Sequence, residues 1–248
     1  MSRPTRYPGY DVLAKRDTPS WDAPTRAVID ARLATPHAPR YLDAARWQTL
    51  MALCACVVPQ GGERESGRAS AIPVAALLDG KLLADRRDGF RDARLPPLRE
   101  AWETGLAALD AESEAAFGEP FHRLDTEGRH ALIAHMQRGE LRCAAWRGMP
   151  SAVFFAKRVL HDLCAAYWSH PAAWSALGFG GPANPRGYVR LYFNRRDPWE
   201  AVEAPEPEAG NEGNESKQGK EGNEGNHADD ADAASAREAV RRENQHVR

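Results

Sequence analysis

One cluster in this chain has residue types that could do chemistry: His161, Asp162 and Cys164. Positions 161 and 164 lie three apart, so on a helix they share a face and could offer an imidazole and a thiolate to one metal ion. A structural metal site wants about four ligands, and no second pair stands nearby in the sequence. The commoner role for a histidine in this setting is a cap or an ion pair. His130 and His135, five apart, fall on different sides of a helix, and pairs such as Glu112 and Glu114 or Asp229 and Asp230 do not face each other, so none makes an acid and base couple. The run GFGGP, Gly178 to Pro182, invites comparison with a phosphate-binding loop. Yet it follows a helical stretch, lacks both the GxGxxG and the GxxxxGK(S/T) spacings, and runs into a proline, so it reads as a turn. Neither a CxxCH haem-attachment motif nor a dinucleotide fingerprint occurs, and the chain is expected to hold no cofactor of its own. Cys54, Cys56, Cys143 and Cys164 stand in helix-like apolar runs without CxxC pairs and read as reduced core residues.

The elements that would position these residues are helical almost throughout. Pro24 suits the first turn of a short helix over Thr25 to Leu33. Asp43 can cap a helix whose Trp47, Leu50, Met51, Cys54, Val57 and Val58 recur at three- and four-residue steps, and Pro59 and Gly61 end it. Gln60 to Ser70 is polar and reads as a surface loop. Pro73 starts a second helix, which Gly80 would weaken or split, and Pro96 and Pro97 open a third with Leu98, Trp102, Leu106 and Leu109 inward. Asp110 is a candidate cap for a short continuation closing at Gly118. Asp125 caps the next helix and Gly139 stops it. Behind Pro150 comes the most hydrophobic helix, with Lys157, Arg158, His161 and Asp162 as its narrow polar stripe, and such a helix is expected in the middle of the fold. A short turn through Trp174 and Leu177 leads into the glycines, and only Tyr188 to Phe193 alternates like a strand.

Composition divides the chain into three parts. Residues 1–40 are rich in Pro and Arg and read as a loosely ordered amino-terminal arm, 41–199 as a single helical domain of about six helices, and 200–248 as a disordered acidic tail. From Ala201 onward the chain has twelve Asp or Glu, six Lys or Arg, no aromatic residue and three valines as its large aliphatics. Such a segment cannot bury enough apolar surface to offset its ordering entropy. The first 200 residues retain 27 basic and 23 acidic side chains, a near balance that gives no broad footprint for nucleic acid. No apolar run approaches the roughly 18 residues of a membrane span. The first residues show no apolar h-region and no adjacent arginine pair, so the expected compartment is the cytoplasm.

The carboxyl-terminal third carries many aromatics among its turn residues: Trp168, Trp174, Phe179, Tyr188, Tyr192, Phe193 and Trp199. Several should fill the core and hold the turn closed, and as a group they are also candidates for anchoring a partner, because Trp, Tyr and Arg dominate interface hot spots.

The order of features is more specific than any one of them: GLAALD (Gly105 to Asp110), FGEPFHRLD (Phe117 to Asp125), AW before Pro150 with FF after it, then YWSHPAAWSALGFGGPANPRGY from Tyr167. From about Leu42 to Tyr188 the chain resembles the gluconate 2-dehydrogenase subunit 3 family, the small subunit of flavin-dependent sugar and polyol dehydrogenases. The resemblance implies an all-α, non-catalytic accessory subunit. FAD would sit on a separate large subunit of the glucose-methanol-choline type, with a cytochrome c subunit carrying haem c as a further component. Members of the family stabilise the flavoprotein and often carry the export signal of the complex, so a periplasmic assembly is the alternative compartment. On this reading the turn and its neighbours, Trp174, Phe179, Pro182, Arg186 and Tyr188, form the docking surface, with Arg158 a further candidate. Two other classes of reading remain open: a free-standing helical adaptor that recruits a basic partner through its acidic tail, and a small metal-dependent enzyme centred on His161 and Cys164.

Overall fold

Aspartates start three of the helices. Asp22 accepts from the Thr25 amide at the head of α1 (Ala23–Leu33), Asp43 from Arg46 at α2 (Ala44–Val57), and Asp125 from Gly128 at α5 (Thr126–Arg138). Prolines precede three more: Pro73 before α3 (Val74–Leu83), Pro97 before α4 (Leu98–Phe117) and Pro150 before α6 (Ser151–Phe154). Helix α6 passes without a break through a π-helical stretch, Phe155–Leu160, into α7 (His161–Ser169), and α8 (Pro171–Leu177) follows. Gly118, Gly139 and Gly178 close α4, α5 and α8 in the left-handed conformation that a Cβ disfavours. A computed structural model describes residues 6–60, 72–182, 197 and 199–204; among these there is no strand, and the alternating run Tyr188 to Phe193 lies outside them, as do residues 205–248 of the tail. No described helix is long and apolar enough to cross a membrane.

Helix α4 is the central element. Ala101, Trp102, Leu106, Ala108 and Leu109 on it are fully buried, and it packs on α2 and α6. Phe154 inserts edge-on between Trp102 and Trp146, at centroid distances of 5.3 and 5.8 Å. Gly105 makes the room, since a Cβ there would lie 2.2 Å from the Phe154 ring. Helix α4 does not restart at Asp110. That side chain turns inward to accept from the Thr49 hydroxyl (2.8 Å) and the Phe121 amide (3.1 Å), tying α2 and the turn after α4 to the helix interior.

Gly80 does not split α3 either. Beside it the buried Asp79 accepts from the backbone amides of Arg40, Tyr41 and Leu42, which fixes the segment entering α2, and the Arg40 guanidinium lies where a Cβ on Gly80 would be. The loop expected from Gln60 falls largely outside the described residues, but its ends are held by the Gln60 amide, which both donates to and accepts from the Ile72 backbone.

Two expectations about layers change. The stretch expected to be a loose arm is packed from Val12 onward: Val12, Lys15, Trp21 and Ile29 are buried, and α1 lies on α8. Its apolar residues are spaced irregularly, so no periodic face announces the packing. The most hydrophobic helix, in turn, is packed on one side only. Its buried residues, 154/155, 158/159 and 162/163, recur every four positions, as do the exposed Leu160, Cys164 and Trp168. On a regular α-helix a four-residue repeat drifts about 40° each time; the wider π turn absorbs that drift and keeps both rows aligned.

Candidate functional site

Two polar constructions stand out, and the first contains the cluster with metal-ligand residue types. Asp162 on α7 is buried and accepts from the indole N–H of Trp102 on α4 (2.8 Å) and from the ammonium of Lys81 on α3 (3.0 Å). His161 Nδ1 lies 3.1 Å from the same carboxylate. Lys81 also donates to Asp88 (2.7 Å), and Asp88 pairs with the guanidinium of the buried Arg158 (3.0 Å). Burial alone would lower the Lys81 pKa, but hydrogen bonds and charge from Asp88 and Asp162 outweigh it and the pKa is raised. Burial works the other way on Asp88, and Lys81 with Arg158 overcome it, so its carboxyl is held below its ordinary range. Two acids and two bases thus form a continuous chain of ion pairs, Asp162–Lys81–Asp88–Arg158, linking α3, the segment after it and the long helix, with Trp102 of α4 joined by its indole N–H.

Among the described residues Asp88, His161 and Asp162 place ligand atoms within 4.8 Å of one another, so the donor set could hold a cation by distance. Cys164, the expected thiolate partner, is exposed and is not in that group. A cation there would also meet the Lys81 ammonium, already in contact with both carboxylates, so these residues fit a lattice of fixed charges better than a metal.

The second construction is the glycine turn after α8. Each glycine accommodates a side chain from elsewhere: a Cβ on Gly178 would lie 2.6 Å from the Tyr7 ring, on Gly180 2.8 Å from Lys15 Nζ, and on Gly181 2.8 Å from the Trp174 ring. Lys15, fully buried, donates to the Gly180 carbonyl (2.7 Å) and reaches Glu200 (3.4 Å). Val12 donates its amide to Ser175 (3.1 Å). The GFGGP run is therefore a clasp that holds the amino-terminal segment, with no phosphate-loop geometry.

The six residues expected at a docking surface separate accordingly. Phe179 is 45% exposed and Pro182 is exposed. Trp174 is buried: it donates its indole N–H to the Trp168 carbonyl (2.7 Å) and packs edge-on against Phe179 at 5.4 Å, so its role is internal. Arg158 is spent inside the ion-pair lattice and is likewise not presented to a partner. Arg186 and Tyr188 lie outside the described residues. Trp168, one of the aromatic group offered as partner anchors, is 44% exposed, and sequence reasoning missed Leu160 and Leu177, which are 38% and 50% exposed. The four-residue spacing of Leu160, Cys164 and Trp168 was the signal that could have found Leu160.

Fold and site together define an all-helical protein whose polar clusters bind its own elements together and whose large apolar side chains are partly left at the surface beside a glycine clasp. The chain belongs to the family described as gluconate 2-dehydrogenase subunit 3, whose profile matches residues 44–181. That span opens on the first residue of α2 and stops at the last glycine of the clasp. No curated protein and no solved structure matches the chain.

Proposed function

We propose that this chain is the non-catalytic small subunit of a flavin-dependent sugar or polyol dehydrogenase, and that it binds and stabilises the larger, flavin-bearing subunit. The observation that carries the reading is the set of exposed apolar side chains in the clasp and on the helices leading into it, Trp168, Leu177, Phe179 and Pro182, within or next to the family-matched span. Large apolar side chains grouped at a surface mark a protein interface more often than they mark solvent-facing structure. Family membership supports a dehydrogenase subunit as the partner. On this reading FAD resides on a large subunit of the glucose-methanol-choline type, a cytochrome c subunit takes the electrons, and the small subunit contributes shape and adhesion.

Co-expression with a candidate large subunit tests this. The two chains should purify together as a yellow complex with a flavin spectrum. Trp168→Asp with Phe179→Asp should lower the recovered complex by about tenfold or more, since interface aromatics carry about 2 kcal/mol or more each when they are hot spots, while leaving helix content unchanged. Unchanged assembly would remove this surface from the interface. Oxidation of sugar by the isolated chain would refute the subunit reading altogether.

A further inference from the structure

A groove of about 850 Å³ opens between α1, α3 and α7, on residues the clasp and its exposed apolar set do not use. Small side chains, Ala31, Ala84, Ala165 and Ala166, line it together with the apolar Val28, Leu77, Leu78 and Leu83. Its rim is basic: Arg32 from α1, Arg40 from the segment before α2, and Lys81, Arg86 and Arg87 from α3 and its exit. The two acids that line it, Asp88 and Asp162, are already bound by Lys81, and Arg87 is paired with Asp85. Arg32 donates to the Ser169 carbonyl, and among the described residues Arg32, Arg40 and Arg86 have no side-chain ion pair. Three guanidinium groups thus line a concave surface without an ion pair among the described residues.

We infer that this groove is a docking site for an acidic polypeptide segment of a partner subunit, its carboxylates meeting Arg32, Arg40 and Arg86 while the rest of the segment lies against the alanine, valine and leucine lining. The occupant is argued from charge complementarity, because guanidinium forks match carboxylates bidentately. The concavity favours a chain over an anionic bilayer, since the charges ring a hollow that a flat surface spans without entering. Gly80 belongs to the device: without a Cβ it lets Arg40 lie across the helix toward the groove. That the acidic segment belongs to a partner subunit rests on the function proposed above; that the groove selects acidic chains does not.

The test uses the full-length protein and a fluorescein-labelled peptide of alternating Glu and Ala, followed by anisotropy. Saturable one-to-one binding is expected, falling between about 0.05 M and about 0.3 M salt as screening sets in. Arg40→Glu with Arg86→Glu should weaken it about tenfold or more, and Arg142→Glu, on an exposed arginine outside the groove, should not. Arg86→Glu alone, at an exposed position, should weaken binding by about threefold and serves if the double variant loses helix content. Equal binding by these variants, no binding by the folded wild type, or competition by inorganic phosphate or phosphatidylserine vesicles at matched charge would each overturn the inference. Failure of co-purification with a flavoprotein beside intact, Arg86-dependent peptide binding would instead sink the proposed function alone.

Discussion

Replacing Asp162 by Ala is the sharpest perturbation of the ion-pair lattice. It leaves the Trp102 indole N–H buried without its acceptor and strips one of two carboxylates from Lys81. Removing one partner of a buried pair costs about 3–5 kcal/mol, but Lys81 is 22% exposed and keeps Asp88, which places the ionic part below that range. The orphaned indole adds about 1–3 kcal/mol, so about 3 kcal/mol in total is a fair expectation. For a folded region of this size that corresponds to a fall in Tm of about 6–12 °C. Urea unfolding followed by tryptophan fluorescence measures it, and a cycle with Trp102→Phe isolates the indole–carboxylate bond, for which a coupling of about 1.5–3 kcal/mol is expected. A change below about 0.5 kcal/mol would refute the claim that this carboxylate ties α7 to α3 and α4. A stoichiometric rise in wild-type Tm on adding zinc or magnesium, abolished in the variant, would refute the ion-pair reading in favour of a metal centre.

Gly105→Ala should destabilise by about 1–3 kcal/mol despite the helix propensity of Ala, because its Cβ meets the Phe154 ring; in a Phe154→Ala background the same change should become neutral or stabilising. His170 is buried, its pKa pulled below the ordinary 6.5 chiefly by desolvation, and its neutral ring accepts from the Ala172 amide at the head of α8. The unfolded chain therefore binds the proton more readily, and stability should fall as pH drops below 6.5, a loss that His170→Asn, which can still cap, should reduce in melting curves between pH 7.5 and 5.5 at about 0.5-unit steps. Burial pushes the Cys54 thiol up to about 12, so maleimide should label the exposed Cys164 in the native protein and Cys54 only after unfolding; rapid native labelling of Cys54 would contradict its burial.

The sequence by itself determined where the helices begin and end. Asp43 and Asp125 as caps, Pro73, Pro97 and Pro150 as entries, and Gly118 and Gly139 as stops are rules acting within about four residues of chain, and each stands in the structure where the pattern puts it. The order of its motifs also determined the family. Tertiary structure decided what the polar and glycine residues are for. Asp110 reads locally as a cap and acts as a cross-link, Asp162 reads as part of a polar stripe and accepts from an indole 60 positions away, and Lys15 reads as part of a loose arm and is buried against a carbonyl 165 positions on. Partners that far apart leave no periodic trace in the chain. They become neighbours only when helix faces meet, and burial then decides which charges need a fixed companion.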